Sequence, residues 1–192
     1  MTYQIGDVLL FSGKGLLSTI IQAGTLSKFS HVGLIIPAAG GKPDLVFEST
    51  SVSKSKDIRT GEFISGVQIS EMESRVSGYD GDVFVRKMYI RDNPTVDMAR
   101  VTAFIDKYHG RPYEASNWEL ASAALDHLPW HVNKADDSTV FCSEIAAMAF
   151  RDWGLMIDDG RPANELTPKD FAETLPLVGR WCLSPDIVKF DT

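Results

Sequence analysis

The chain has 192 residues, 44% hydrophobic and 23% charged. That is enough for one sizeable core and cramped for two, so a single domain over residues 1–192 is expected. The formal net charge of −7 argues against nucleic-acid binding, which needs a basic footprint, and more mildly against attachment to an anionic membrane or wall. No run reaches the ~18 apolar residues of a membrane-spanning helix, so no integral membrane segment is expected.

The first residues, MTYQIGDVLL, lack a basic n-region and place Asp7 before the apolar run. They do not read as a signal peptide, and a cytoplasmic location is expected, with export by another route open. A reducing compartment argues against a disulfide between the two cysteines, Cys142 and Cys182.

In chain order, Ile5 to Phe11 predicts a buried strand closed by Ser12 and Gly13. Gly15 to Ala23 predicts a helix with Leu16, Leu17, Ile20 and Ile21 on one face. The preceding Ser12-Gly13-Lys14-Gly15 lacks the GxxxxGKS/T spacing of a phosphate loop and reads as a strand-to-helix turn. Ser30 to Ile36 and Leu45 to Ser49 predict a hairpin turning near Pro37 and Gly40-Gly41. Thr50 to Gly66 is rich in Ser, Lys and Gly without periodicity, which predicts a mobile surface loop facing a substrate. Val67 to Ile69 predicts a short strand and Asp82 to Tyr89 a longer one.

Pro94 then opens a helix to Tyr108 that buries Val101, Phe104 and Ile105. Tyr113 to Leu125 predicts a further helix, Pro168 to Thr174 a short one, and Ile187 to Phe190 a last strand. Strands come first and helices later, the order of an α+β fold rather than alternating βαβ units.

One stretch carries chemistry. Asp136, Asp137, Ser138 and Thr139 are helix-capping residue types, and Cys142, Ile145, Ala146, Ala149, Phe150 and Trp153 follow at helical spacing. A cysteine in the first turn of such a helix lies near the positive end of its dipole, which favours thiolate. The same position also suits a small core residue.

A thiol nucleophile needs a base, usually histidine. His31 lies inside a predicted strand, and Gly33 on the same face leaves room beside its ring. A satisfied core histidine fits that pattern too. Glu48, on the partner strand of the hairpin, can face the same side and hold the imidazole; it also fits an edge-strand glutamate on a solvated face. His109 reads as a helix C-cap. Pro129 interrupts the helix that would align His127 with His131, the cysteines are far apart, and no HExxH motif occurs. Neither a metal centre nor a cofactor is expected.

Four motifs in order, His31 in FSHVGLII, Glu48 in LVFEST, Tyr113 in HGRPYE and Cys142 in TVFCSEIAAMAF, resemble the YiiX/YebB-like cysteine hydrolases. These form the circularly permuted branch of the NlpC superfamily of papain-fold enzymes. Ordinary papain-like chains present Cys before His, whereas the permuted branch presents His, a polar third residue and then Cys. The opening IGDVLLFSGKG is similar as well, and the resemblance spans roughly residues 5–150.

The resemblance implies a papain-like antiparallel sheet packed against helices. It assigns Cys142 as nucleophile, His31 as base, Glu48 as orienting acid and Tyr113 as a substrate-lining residue. The family's tyrosine is often followed by Asp, where Glu114 stands here. The implied activity is hydrolysis of an amide or ester in a peptide, cell-wall stem, acyl-amino acid or lipid amide through a thioester. The related lecithin–retinol acyltransferase branch implies acyl transfer as an alternative, and a catalytically idle binding domain is a third reading.

Overall fold

The computed structural model describes residues 2–38, 40–51, 53–90, 95–113, 140–179 and 181–190. The elements in order are β1 (Val8–Gly13), α1 (Leu16–Thr25), β2 (His31–Ile36), β3 (Leu45–Thr50), β4 (Gly66–Glu71), α2 (Met72–Ser77) and β5 (Gly81–Ile90). They are followed by α3 (Met98–Tyr108), α4 (Cys142–Asp152), a 3-10 turn at Ala163–Glu165, α5 (Pro168–Ala172) and β6 (Trp181–Lys189). The strands form one sheet in the order β4-β3-β2-β1-β5-β6, antiparallel throughout. The architecture is α+β.

Strand alternation divides the core between the two faces of this sheet. On one face Leu10, Val32, Leu34 and Phe47 meet Phe104 of α3 and Ile145, Ala149 and Phe150 of α4. On the other, Leu9, Phe11, Ile35, Val46 and Val85 lie under Met72 and Val76 of α2. Every residue of the predicted apolar face from Cys142 to Trp153 is buried. Each large one contributes about 1.5–3 kcal/mol of transfer free energy, which fixes α4 against the sheet.

Several expectations are corrected by local chemistry. The first strand starts at Val8, because a turn closed by the Asp7 N–H donating to the Gln4 carbonyl precedes it. It continues through Ser12 and Gly13, which pair with Asp82 and Gly81. The helix after Val96 begins at Met98 and not at Pro94, since Asp97 caps it by accepting the Ala99 N–H at 2.9 Å. Tyr113 does not open a helix: it makes a parallel bridge with Val140, and residues 114–125 lie outside the described set.

The last strand is nine residues long and not four. Its ladder slips between Arg86 and Met88, leaving Pro185 in a bulge, where a residue without an N–H is tolerated. Helix α2 has no counterpart in the sequence reading. Among the described residues, no helix is long and apolar enough to cross a membrane.

The 50–66 loop is tied down at its middle. Asp57 is fully buried and accepts the backbone N–H groups of Ile69 at 3.0 Å and Thr60 at 2.8 Å. His109 is indeed the residue that ends α3. Its ring is spent on Asp57, with Nε2 2.9 Å from Oδ1, and not on the helix carbonyls.

Candidate active site

The site forms where two strands part. Strands β2 and β3 are laddered only through Leu34–Phe47, Ile35–Val46 and Ile36–Leu45, although they run on to His31 and Thr50. The chain entering α4 occupies this opening. Ser49 Oγ donates to the Val140 carbonyl at 2.7 Å, and the Val140 N–H donates to the Pro112 carbonyl at 3.3 Å. The Cys142 sulfur accepts the Val32 backbone N–H.

Cys142 is the first residue of α4, after Phe141 at the N-cap. The expected capping residues Asp136 to Thr139 lie outside the described residues, and the cap is made by Glu144, whose carboxylate accepts the Phe141 N–H at 3.2 Å. First-turn N–H groups have no intrahelical partner, and that of Ser143 donates to the Cys142 sulfur.

His31 comes to the thiol from the other direction. It opposes Phe11 on β1, and the two rings meet edge to face at 5.0 Å. Its Nε2 is 2.6 Å from Glu48 Oε2, and its ring also hydrogen-bonds the Cys142 thiol. With Nε2 engaged, Nδ1 is the nitrogen left for the sulfur. The room expected at Gly33 is taken: a Cβ there would stand 2.8 Å from Val46 Cγ1 and 3.6 Å from Glu48 Cβ.

Glu48 is fully buried rather than lying on a solvated edge. Oε1 accepts from Gln68 Nε2 at 2.9 Å and from Arg75 Nε at 2.5 Å, and Oε2 from Arg75 Nη2 at 3.2 Å. The Arg75 guanidinium carbon lies 4.6 Å from the Phe11 ring centre and 5.1 Å from that of Tyr79. A buried carboxylate held by this many donors is a fixed negative charge under the imidazole.

The protonation balance follows. Burial pulls the His31 pKa down, but the Cys142 thiolate and the Glu48 carboxylate outweigh it and raise it to about 9. Burial pushes Glu48 up, and Arg75 and then His31 hold it far below the usual carboxylate range. Burial also pushes the Cys142 thiol up. His31 and the N–H groups of Val32 and Ser143 bring it below its ordinary value. Both shifts favour the charged forms, thiolate at Cys142 and imidazolium at His31.

The structure thus brings Cys142, His31 and Glu48 together. Tyr113 joins them as a wall residue, 8% exposed, its ring edge-on to Phe141 at 6.2 Å. Cys182 is free and exposed on β6. His127 and His131 lie outside the described residues. Gln68 and Arg75 were missed by the sequence reading. A polar residue between Val67 and Ile69 was the available signal for Gln68.

No protein-family model and no curated protein matches the chain. Among solved structures it is similar to metalloprotein YiiX from Escherichia coli O157:H7, with a TM-score of 0.52 and 17% identity, over 100% of this chain and 98% of that one. That neighbour is described as a metalloprotein. Among the described residues of this chain, no group of three or more His, Cys, Asp and Glu side chains is placed to hold a metal ion. At this identity the likeness establishes the fold alone: this chain has an α+β fold like that of YiiX.

Proposed function

We propose that the protein is a cysteine hydrolase, a one-domain member of the circularly permuted papain-like enzymes, cleaving an amide or ester through a thioester acyl-enzyme. One observation carries the reading: Cys142, at the first position of α4, is hydrogen-bonded to a histidine whose far nitrogen rests on a buried glutamate.

In the first half-reaction the Cys142 thiolate attacks the carbonyl carbon and forms a C–S bond. The oxyanion lies against the N-terminal turn of α4, whose N–H groups, that of Cys142 included, have no intrahelical carbonyl to serve. The bond to the leaving nitrogen or oxygen then breaks as the imidazolium of His31 gives that atom its proton. In the second half-reaction His31 takes a proton from water, and the hydroxide oxygen adds to the acyl carbon. The C–S bond breaks, releasing the acid and restoring the thiolate–imidazolium pair. Glu48 holds the ring and its charge, and Arg75 and Gln68 hold Glu48.

The test is intact-mass analysis after rapid quenching with activated esters, thioesters and aryl amides. The expected result is an acyl adduct on Cys142, absent in Cys142→Ala and slowed in His31→Ala. Adding hydroxylamine or an amino acid separates hydrolysis from transfer by the product formed. No adduct and no turnover from any ester, thioester or amide would leave an idle binding domain as the reading.

A further inference from the structure

Two cavities meet at the thiolate–imidazolium pair, and they are unequal. The smaller, about 40 Å³, is walled by Cys142, Ser143, Asn164, Leu166 and Thr167. The larger, about 320 Å³, is walled by His31, Leu16, Leu17, Lys54 and Tyr79. Ile21, Ser30 and Tyr113 line both, so one cleft runs past the catalytic pair and widens on the histidine side.

Chemistry assigns the two ends. The atom that His31 protonates is the leaving atom, so the leaving group lies on the His31 side. The acyl part stays over Cys142. Resting on the hydrolase reading above, we infer that the enzyme takes a small acyl group joined to a bulkier leaving group with an apolar portion.

The volumes set the size of each part. A water-sized sphere needs about 10–15 Å³ of such space, so the Cys142 side holds only a few heavy atoms.

The wide side is mixed: Lys54, Arg75 and Asp80 line it together with apolar residues of α1. Helix α1 carries the apolar face read from the sequence, but that face is not packed away. Leu16 is 81% exposed and Ile20 43%, while Leu16, Leu17 and Ile21 line the cleft. The apolar portion of the leaving group covers this face, because the cavity is continuous with it and with the His31 ring.

Two substrate series on the full chain test the assignment. In the first the leaving group is fixed and the acyl group runs over glycyl, alanyl, leucyl, propionyl and hexanoyl. Here kcat/KM should fall at least about tenfold from alanyl to leucyl and from propionyl to hexanoyl, as overfilling a small pocket does. In the second series the acyl group is alanyl and the leaving alcohol runs from methyl to octyl. There kcat/KM should rise with length, and the rise should flatten in Leu16→Ser, a surface change that leaves the core intact. Turnover with the preferences reversed, long acyl groups favoured on short alcohols, overturns the inference and leaves the hydrolase reading standing. Failure of every member to acylate Cys142 overturns both.

Discussion

The Cys142 sulfur accepts the backbone N–H of Val32, a donor that β3 does not take because its ladder with β2 ends at Leu34–Phe47. This contact explains how thiol and imidazole meet. His31, Gly33 and Glu48 belong by alternation to the sheet face under α2, with Phe11 and Val46 beside them. Cys142 arrives on α4, which packs against the opposite face. The split between β2 and β3 is the gap through which thiol and imidazole reach each other. The same N–H stabilises a negative sulfur, so separating the strands and lowering the thiol's proton affinity are one structural act.

The first consequence is selective reactivity. Cys142 should alkylate with iodoacetamide well below the ~8.5 of a free thiol, and His31→Ala should lose that advantage because burial alone raises the thiol. Cys182→Ala should leave the Cys142 rate in place. Peptide-mapped rates against pH decide it. A Cys142 that titrates like a free thiol, or that trails Cys182 at neutral pH, removes the nucleophile.

The pH dependence of stability has a definite sign for each partner. The folded pKa of His31 is raised to about 9. The stability it adds is therefore complete below its unfolded value of ~6.5 and disappears as pH rises through about 9. Glu48 is depressed, so its contribution is present above ~4.5 and is lost as pH falls. Urea unfolding from pH 4 to 10 should show the wild-type advantage over His31→Ala narrowing on the alkaline side. The advantage over Glu48→Gln should narrow on the acid side. Gaps that stay constant across that range would mean that neither charge is formed on folding.

Arg75 and Glu48 should behave as a coupled pair. Arg75→Met leaves a buried carboxylate without its main counter-charge and should cost about 3–5 kcal/mol. Adding Glu48→Gln removes the stranded charge, so the double variant should be more stable than Arg75→Met alone. The onset of Cys142 alkylation should also move to higher pH in Glu48→Gln, because an imidazolium without its carboxylate stabilises the thiolate less. Additive losses in urea unfolding would show that Arg75 stabilises α2 and not Glu48.

What the sequence revealed and what it hid follow from the range of each interaction. Cys142, His31 and Glu48 were legible because residue type and order along the chain carry them. The apolar face of α4 was legible because it is periodic over eleven residues. Arg75 was not: α2 has six residues, too few for a period, and a buried arginine looks like any surface charge until its carboxylate is in place. The exposure of α1 and the parting of β2 from β3 depend on distant partners, which no local pattern encodes. Strand β6 reaches back past Pro185 to Trp181 through a bulge that only the register with β5 makes visible.

Gly33 is the position where the sequence argument was closest and still wrong in kind, and it yields the most exacting test. Its missing side chain does sit beside His31, but the space belongs to Val46, whose Cγ1 would lie 2.8 Å from an added Cβ. Val46 is fully buried and β-branched, so it has few rotamers into which to retreat. Gly33→Ala should therefore cost about 1–3 kcal/mol by overpacking. It should also slow alkylation of Cys142 by displacing the neighbouring Glu48. Val46→Ala alone opens a cavity and is destabilising as well, yet it removes the colliding methyl. The double variant Gly33→Ala/Val46→Ala should be less destabilised than the sum of the two, with a positive coupling in urea unfolding and part of the Cys142 reactivity restored. If the two losses simply add, Gly33 is needed for its backbone and not for the room it gives Val46, and the packing beneath His31 is other than described.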